Sequence, residues 1–205
     1  IDIKGGAIYK NRLIMLDILA NNDWKRPIYF SPGSYNDEDY LWMKDYLQLE
    51  GAVYKLVPVK TKYVDENYPD MGQVDTDRMY KIVTNWVWGN SESTKIYHDT
   101  ETRKDAISTR NNMSRLAYAL IAENKKDKAK KIIELALAKM PFEYYGYYST
   151  LDSFADCYYL IEEQENAQNL LTKLMGKYQE NLKYYKSFSG SDQAYLTSEI
   201  MTNLY

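Results

Sequence analysis

The stretch RNNMSRLAYALIAENKKDKAKKIIELALAKMP, residues 110–141, decides the fold of this chain. Its first half carries apolar residues at the spacing of one helix face, namely Met113, Leu116, Ala117 and Leu120. Its second half repeats that spacing in three further apolar residues, Ala129, Ile133 and Ala136. A polar break at 124–127 separates the halves, and Pro141 ends the second because proline has no amide hydrogen for a helix interior. The stretch therefore predicts two antiparallel helices joined by a short turn.

This helical hairpin resembles a tetratricopeptide unit, in which small residues such as Ala117 and Ala129 let two helices approach closely. The same pattern returns further along the chain in Leu151, Phe154, Ala155, Tyr158, Ala167, Leu171 and Leu174. The matching alanines at 129 and 167 are 38 positions apart, against about 34 in a standard repeat. We expect a final helix over about 191–205 to cap the stack, because an end hairpin leaves one apolar face open.

The residues before the hairpins follow a different pattern. Residues 11–22 predict a short buried helix, and residues 24–30 end in a short strand. A second helix is predicted over 37–51, with acidic residues at its start and glycine at its end. Alternating apolar residues predict a second strand over 52–59.

These elements predict the domain organisation. We expect a small, and incomplete, α/β piece at 1–72, followed by a helical tetratricopeptide-like domain at 73–205. Within the second domain, Asp75 and Asp99 are candidates to cap the starts of two helices. The predicted fold class is α+β, mostly α, with a small N-terminal α/β piece followed by α-hairpins.

Charge and composition limit the classes of function. The chain has 205 residues and a net charge of −3, so no positive field attracts nucleic acid, and we expect no nucleic-acid partner. Cys157 is the only cysteine, which excludes an intrachain disulfide and favours a buried packing residue. The chain opens at Ile1 and not at methionine, and from this we expect a piece of a longer protein.

Catalytic and metal sites find little support in the residue types. His98 is the only histidine and has no accompanying nucleophile motif, so we interpret it as a surface or capping residue. One loop is rich in carboxylates, which are Asp65, Glu66, Asp70, Asp75 and Asp77. Their spacing matches no calcium loop, and the acids at 37–39 suit the start of a helix. We therefore predict no catalytic residue, no metal and no cofactor within these residues.

Aromatic residues supply the candidate binding sites. The first group is Trp24, Arg26 and Tyr29, in the segment that ends in the first strand. The second group is Tyr144, Tyr145, Tyr147 and Tyr148, in the connection between the hairpins. Tyrosine and tryptophan combine an apolar ring with a polar group, so they suit a surface that binds a peptide or a sugar ring. The alternative interpretation is packing: a strand edge for the first group, and contacts between hairpins for the second.

Four segments carry a resemblance to a known family. They are NDWKRPIYF at 22–30, DYLQLEG at 45–51, YKLVP at 54–58, and RNN with RLA at 110–112 and 115–117. They resemble the carboxy-terminal region of bacterial multispanning membrane proteins similar to protein O-mannosyltransferases, long described only as a domain of unknown function. The resemblance implies a soluble domain on the periplasmic side of the inner membrane. The acidic residues implied for sugar transfer would lie in loops between membrane helices upstream.

The expected function is therefore a non-catalytic extracytoplasmic domain of a membrane glycosyltransferase-like protein. It would dock an acceptor protein or a partner subunit, with contact to the membrane through upstream helices. The first alternative is a free-standing repeat scaffold that binds peptides. The second is a carbohydrate-binding helical lipoprotein, for which a glycan would be the ligand.

Overall fold

The computed structural model of this protein describes residues 8–31, 43–61, 72–190 and 196–204. The first part contains one helix and a four-stranded sheet, which are α1 (Lys10–Asn21), β1 (Tyr29–Phe30), β2 (Leu47–Glu50), β3 (Val53–Leu56) and β4 (Gln73–Val74). The rest is helical, with α2 (Thr76–Thr84), α3 (Thr100–Ala122), α4 (Lys126–Lys139), α5 (Phe142–Tyr145), α6 (Asp152–Leu160), α7 (Gln164–Tyr185) and α8 (Thr197–Leu204). Short 3₁₀ turns precede β2 and α6. The fold class is α+β and mostly α, as predicted.

The sheet has the strand order β1-β3-β2-β4. Strand β3 is antiparallel to both β1 and β2, whereas β4 pairs parallel with β2. Apolar residues alternate along the strands and point to one face, where Leu47, Leu49, Tyr54 and Leu56 are buried. That face packs against the helices and forms part of one continuous apolar core.

Strands β2 and β3 correct the predicted helix at 37–51. Residues 44–50 form a 3₁₀ turn and a strand, and the predicted helix start at 37–39 lies outside the described residues. The hairpin turns at Gly51, whose φ of +68° favours glycine. A Cβ atom there would come within 2.9 Å of the Trp86 ring. The expected alternation of helix and strand is therefore wrong here, because residues 47–56 form an antiparallel hairpin.

The predicted helical hairpins are present. Helices α3 and α4 pack along each other, and α6 packs against α7 in the same way. Most residues predicted to face inward are buried, among them Met113, Leu116, Ala117, Leu120, Ala129, Ile133, Ala136, Phe154, Ala155 and Ala167, whereas Leu171 is half-buried. Helix α8 lies against α7, as expected for a capping helix. The structure thus confirms two stacked hairpins, while their tetratricopeptide character stays a prediction.

The helix starts follow the predicted capping chemistry. Asp75 caps α2 by accepting a hydrogen bond from the Arg78 amide at 3.0 Å. Asp99 caps α3 by accepting from the Thr102 amide at 2.9 Å. Helix α2 ends at Thr84, and turns follow at 89–92 and 94–95 before α3 begins at Thr100.

Helix α1 lies where predicted but is not buried. None of its residues is fully covered, although Met15 and Leu19 pack against the core. The prediction of a buried helix is therefore wrong. An apolar pattern shows that a helix needs a cover, but it does not show whether the same chain supplies it.

The junction between sheet and hairpins uses polar residues of α3. The Asn112 amide donates to the Gly51 carbonyl at 3.0 Å, and the Arg115 guanidinium donates to the Gly72 carbonyl at 2.8 Å. Both donors belong to segments that carry the family resemblance. Strand β4, at Gln73–Val74, completes the sheet just beyond the predicted boundary at 72/73, which itself stays a prediction.

Candidate docking surfaces

Tyr29 belongs to a row of polar side chains that crosses all four strands. Tyr29 lies opposite Lys55, Lys55 opposite Gln48, and Gln48 opposite Gln73. Residues paired in this way share one face of a sheet, so the row lies opposite the apolar core. The Gln73 amide donates to the Gln48 side-chain oxygen at 3.4 Å, which links the last two members.

Glu50 is the buried anion of this polar face. Its carboxylate lies 2.6 Å from the Arg78 Nε atom and 3.8 Å from the Lys55 ammonium. It also accepts hydrogen bonds from the Gln48 amide at 2.9 Å and the Tyr29 hydroxyl at 3.1 Å. Burial raises the pKa of Tyr29, and its hydrogen bond to Glu50 adds to the rise. Both carboxylate oxygens of Glu50 have hydrogen-bond or ion-pair partners. Glu50 is therefore suited to holding α2 against the sheet and not to proton transfer.

Trp24 and Arg26 lie in the turn after α1. The Asn22 amide closes this turn by donating to the Arg26 carbonyl at 2.9 Å, and Asp23 and Trp24 adopt positive φ values of 48° and 56°. The Arg26 side chain is exposed. Trp24 borders an apolar groove of about 270 Å³ between α1 and the sheet, which Leu19, Ile28, Tyr46 and Leu56 also line. Trp24 and Tyr29 are thus parts of different surfaces.

Tyr144 and Tyr145 hold the loop before α3 in place. The Tyr144 hydroxyl donates to the Ile96 carbonyl at 2.6 Å and accepts from the His98 amide at 2.9 Å. The Tyr145 hydroxyl donates to the Ser91 carbonyl at 3.0 Å. Both hydroxyls therefore have partners within the chain, and a role in binding a ligand stays a prediction.

Tyr147 and Tyr148 have different roles in the same connection. Tyr147 adopts the left-handed conformation, with φ of 51°. Tyr148 packs edge-on against Phe142 and Tyr178, with ring centroids 6.1 and 6.5 Å apart. These contacts show packing between the hairpins, and a ligand role for either residue stays a prediction.

A buried arginine organises this tyrosine-rich connection. The Arg110 guanidinium donates to the Met140 carbonyl at 2.8 Å, the Gly146 carbonyl at 2.7 Å and the Thr150 hydroxyl at 3.1 Å. Its side chain is fully buried, and burial lowers its pKa to about 10. The carbonyls replace the water that a charged guanidinium otherwise needs. Arg110 thus joins the end of the first hairpin to the start of the second.

A second groove, of about 240 Å³, lies between the two hairpins. Its apolar part includes Leu137, Phe142 and Leu170. Its polar part comes from Asn166, Asn169 and Lys173 on one side of α7 and from Glu143 on α5. The Asn166 amide donates to Glu163 at 2.8 Å, and the Lys173 ammonium lies 5.9 Å from the centre of the Phe142 ring. An apolar floor beside amide and ammonium groups suits an extended peptide segment.

The remaining candidates for chemistry are either structural or outside the described residues. Cys157 is buried as predicted, and burial raises the pKa of its thiol to about 12, so the thiolate is scarce at neutral pH. Asp77 pairs with Lys125 and Lys128, whose ammonium groups lower its pKa. The acidic residues at 65, 66 and 70 are not among the described residues. Over 8–31, 43–61, 72–190 and 196–204, no group of three potential metal ligands is present.

The N-terminal part of the chain, which contains helix α1 and the sheet, matches a known family model. Residues 1–78 match the model described as TMEM260-associated domain 2. This family is linked to TMEM260, itself a protein O-mannosyltransferase. The match supports the resemblance stated for the sequence over these residues, and it does not reach the hairpins. No curated protein and no solved structure matches the chain.

Among the residues that the structure describes, no helix combines the length and the apolar character needed to cross a bilayer.

Three functional features were missed by the sequence patterns. Arg110 shares the apolar face of Met113 and Ala117, and this spacing could have indicated a buried arginine. The pairing of Glu50 with Arg78 depends on the position of α2 against β2, and no local pattern reveals it. The groove residues Asn166 and Lys173 look like ordinary surface residues of an amphipathic helix until α5 is placed beside them.

Proposed function

We propose that this chain is a non-catalytic domain of a membrane glycosyltransferase-like protein of the protein O-mannosyltransferase type. Its role is to dock an acceptor protein or a partner subunit near the membrane-embedded catalytic part. The family match over residues 1–78 supports the association with such a protein. We further propose that the domain lies on the periplasmic side of the membrane, with a sheet unit at 1–72 and a helical unit at 73–205.

The observation that carries the docking role is the groove between the hairpins. Leu137 and Phe142 offer an apolar floor for one side chain of a partner. Asn169 and Lys173 stand one helical turn apart on its rim, where they can bind main-chain carbonyls or a carboxylate of an extended segment. Because the groove is small, it fits a peptide segment better than a folded surface.

Site-specific photocrosslinking in the full-length membrane protein tests this proposal. A photoreactive residue at Asn169 should crosslink to a protein partner, because this position lies on the groove rim. The same residue at Met175 is the matched control, since Met175 is exposed on the same helix but does not line the groove. Equal crosslinking from both positions, or none from Asn169, would contradict docking in this groove.

A transfer assay then tests the link to glycosylation. Replacing Asn169 and Lys173 together by alanine should raise the acceptor concentration needed for half-maximal transfer and leave the maximal rate unchanged. This result is expected because the groove positions the acceptor and takes no part in the chemistry. Loss of the maximal rate with an unchanged acceptor requirement would indicate a different role for the domain.

A further inference from the structure

Tyr158 is a buried tyrosine whose hydroxyl has no partner in the described part of the chain. It lies on α6 and lines the groove between the hairpins. Only 5% of the residue is exposed, and none of the described hydrogen bonds includes its hydroxyl. The oxygen is nevertheless not sealed from solvent. Since the groove is the surface that Tyr158 lines, the hydroxyl is available there to a bound molecule.

The other buried tyrosines of the described chain have partners for their hydroxyls. The Tyr54 hydroxyl accepts a hydrogen bond from Arg115 at 3.5 Å, and the Tyr145 hydroxyl donates to the Ser91 carbonyl at 3.0 Å. This is the normal state of a buried tyrosine, because an unpaired polar group away from water costs free energy. The departure at Tyr158 indicates that its hydroxyl serves a bound molecule.

The surroundings of Tyr158 favour a neutral ligand group. Burial raises its pKa to about 12, and the charges of Glu134 and Glu163 add to the rise. The hydroxyl therefore keeps its proton near neutral pH and can both donate and accept a hydrogen bond. The same carboxylates oppose an anion at this position, while a buried cation would lose its hydration. A hydroxyl or an amide meets neither obstacle.

The rim of the groove favours an uncharged segment as well. Lys173 on α7 and Glu143 on α5 contribute charges of opposite sign. In the chain as described, neither of them forms an ion pair. A charged side chain between them is attracted by one and repelled by the other. Main-chain carbonyl and amide groups can satisfy both, and Asn169 adds an exposed amide beside them.

The length of the groove sets the length of the segment. Seven positions separate Asn166 from Lys173 along α7, which corresponds to about 10 Å. An extended chain advances about 3.3 Å per residue, so the groove contacts roughly three residues. The apolar part of the groove covers the carbon atoms of one side chain and comes from Leu137, Phe142 and Leu170.

We propose that the segment docked in this groove is uncharged over about three residues and directs one hydroxyl or amide side chain at the Tyr158 hydroxyl. This inference deepens the docking role proposed above and rests on it. Serine, threonine, asparagine and glutamine have suitable side chains, because each combines a polar group that pairs with Tyr158 and carbon atoms that pack on the floor. An aliphatic side chain fits the floor but leaves the hydroxyl unpaired.

Selection from a displayed library of random peptides tests the proposal with the 205-residue chain. The enriched peptides should share serine, threonine, asparagine or glutamine at one position, without charged residues directly beside it. One enriched peptide is then synthesised in two forms, the second with an aliphatic residue of similar size at the shared position. Calorimetry measures the binding of both forms.

The variant Tyr158→Phe removes the hydroxyl alone. It should weaken binding of the enriched peptide by about 3- to 10-fold, the contribution of one neutral hydrogen bond. The parent should bind the aliphatic form more weakly by a similar factor, whereas Tyr158→Phe should bind both forms equally. This coupling separates a contact with the peptide from a structural role. Thermal unfolding should show no loss of Tm for Tyr158→Phe, because the hydroxyl has no partner within the described chain.

Tyr159→Phe is the matched control. Tyr159 follows Tyr158 on α6, is 44% exposed and does not line the groove. This variant loses a hydroxyl of the same kind at a neighbouring position. It should bind both peptides like the parent.

Two rim variants test the part of the charges. Glu143→Gln leaves the cation Lys173 unopposed, so the library should then yield acidic residues beside the shared position. Lys173→Gln leaves Glu143 unopposed and should yield basic residues there.

Three outcomes would overturn the proposal. They are a library without enriched peptides, enriched peptides that are charged or purely aliphatic throughout, and equal binding of the enriched peptide by the parent and Tyr158→Phe. Crosslinking from Asn169 in the full-length protein, combined with any of them, keeps the docking role and rejects this choice of segment. Absence of that crosslinking contradicts the docking role itself, so the two failures are distinguishable.

Discussion

The sheet region and the hairpin region bury their residues in different ways. Helices α3 and α4 cover their inward sides completely, with Met113, Leu116 and Ile133 at zero exposure. Helix α1, beside the sheet, has no fully buried residue. The hairpins thus provide most of their own core, whereas the N-terminal region has a core on one side only. The region that matches a known family model, residues 1–78, thus contains the helix with exposed apolar side chains.

A second difference concerns how each region uses a buried charge. Arg110 in the hairpins is surrounded by carbonyl and hydroxyl oxygens and has no carboxylate among the partners described above. Glu50 in the sheet is paired with Arg78, whose side chain is about half exposed. The first charge is fixed inside a packed connection and the second near a surface. We therefore expect the two charges to differ in their contribution to stability.

The largest expected effect is at Arg110. The substitution Arg110→Met keeps an unbranched, flexible side chain but removes the guanidinium, which leaves the Met140 and Gly146 carbonyls without this donor. The free energy of unfolding should fall by about 3–5 kcal/mol. Chemical denaturation measures this loss. Lys131→Met is the matched control, because Lys131 is an exposed cation on α4, and its effect should stay within about 0.5 kcal/mol.

A smaller effect is expected at Glu50. The substitution Glu50→Gln keeps the shape but removes the charge that pairs with Arg78, and it should cost roughly 2 kcal/mol. If the sheet at 1–72 unfolds separately from the hairpins, the substitution should shift the unfolding transition of the sheet and leave that of the hairpins unchanged. Hydrogen exchange resolves the two regions. Equal loss of protection in α3 and β2 would show that they unfold as one unit.

The smallest expected effect is at Asp99 and depends on pH. Hydrogen bonds from Thr102 lower the pKa of Asp99 in the folded chain. Its contribution to stability is therefore present above the unfolded pKa of about 3.9 and is lost as the pH falls through the lower folded pKa. Asp99→Ala should lower Tm slightly near neutral pH and have a weaker effect in acid.

Asp99→Asn is the control for this pH effect. Asparagine keeps an oxygen that can accept the Thr102 hydrogen bond, but it does not titrate. The difference in Tm between the Asn and Ala variants should therefore stay constant as the pH falls. A parent protein whose advantage over the Ala variant is equally constant would contradict a role for the carboxylate charge.

The hairpins were predictable because their signal is local and long. The spacing of Met113, Leu116 and Leu120 extends over several turns, and only a helix places such residues on one side. Strand β2 was not predictable in this way, since Leu47 and Leu49 give only one alternation. Strand β4, with two residues, has no pattern at all, and its place depends on pairing with β2.

The candidate site residues show the same difference between local sequence patterns and tertiary contacts. Tyr29 was selected from its segment, but its partner Glu50 lies 21 residues away and reaches it only through strand pairing. Tyr144 was selected for its ring, while the structure shows a hydroxyl that binds the loop before α3. Local sequence thus selects candidates by residue type, and tertiary contacts decide what each of them touches.

Cys157 gives this molecule a built-in reporter. Its sulfur lies within the second hairpin, and the raised thiol pKa of about 12 suppresses reaction with alkylating agents. Modification should therefore proceed only through molecules in which α6 has separated from its neighbours. Because no other thiol is present in the sequence, the labelling rate counts those opening events without any engineered probe.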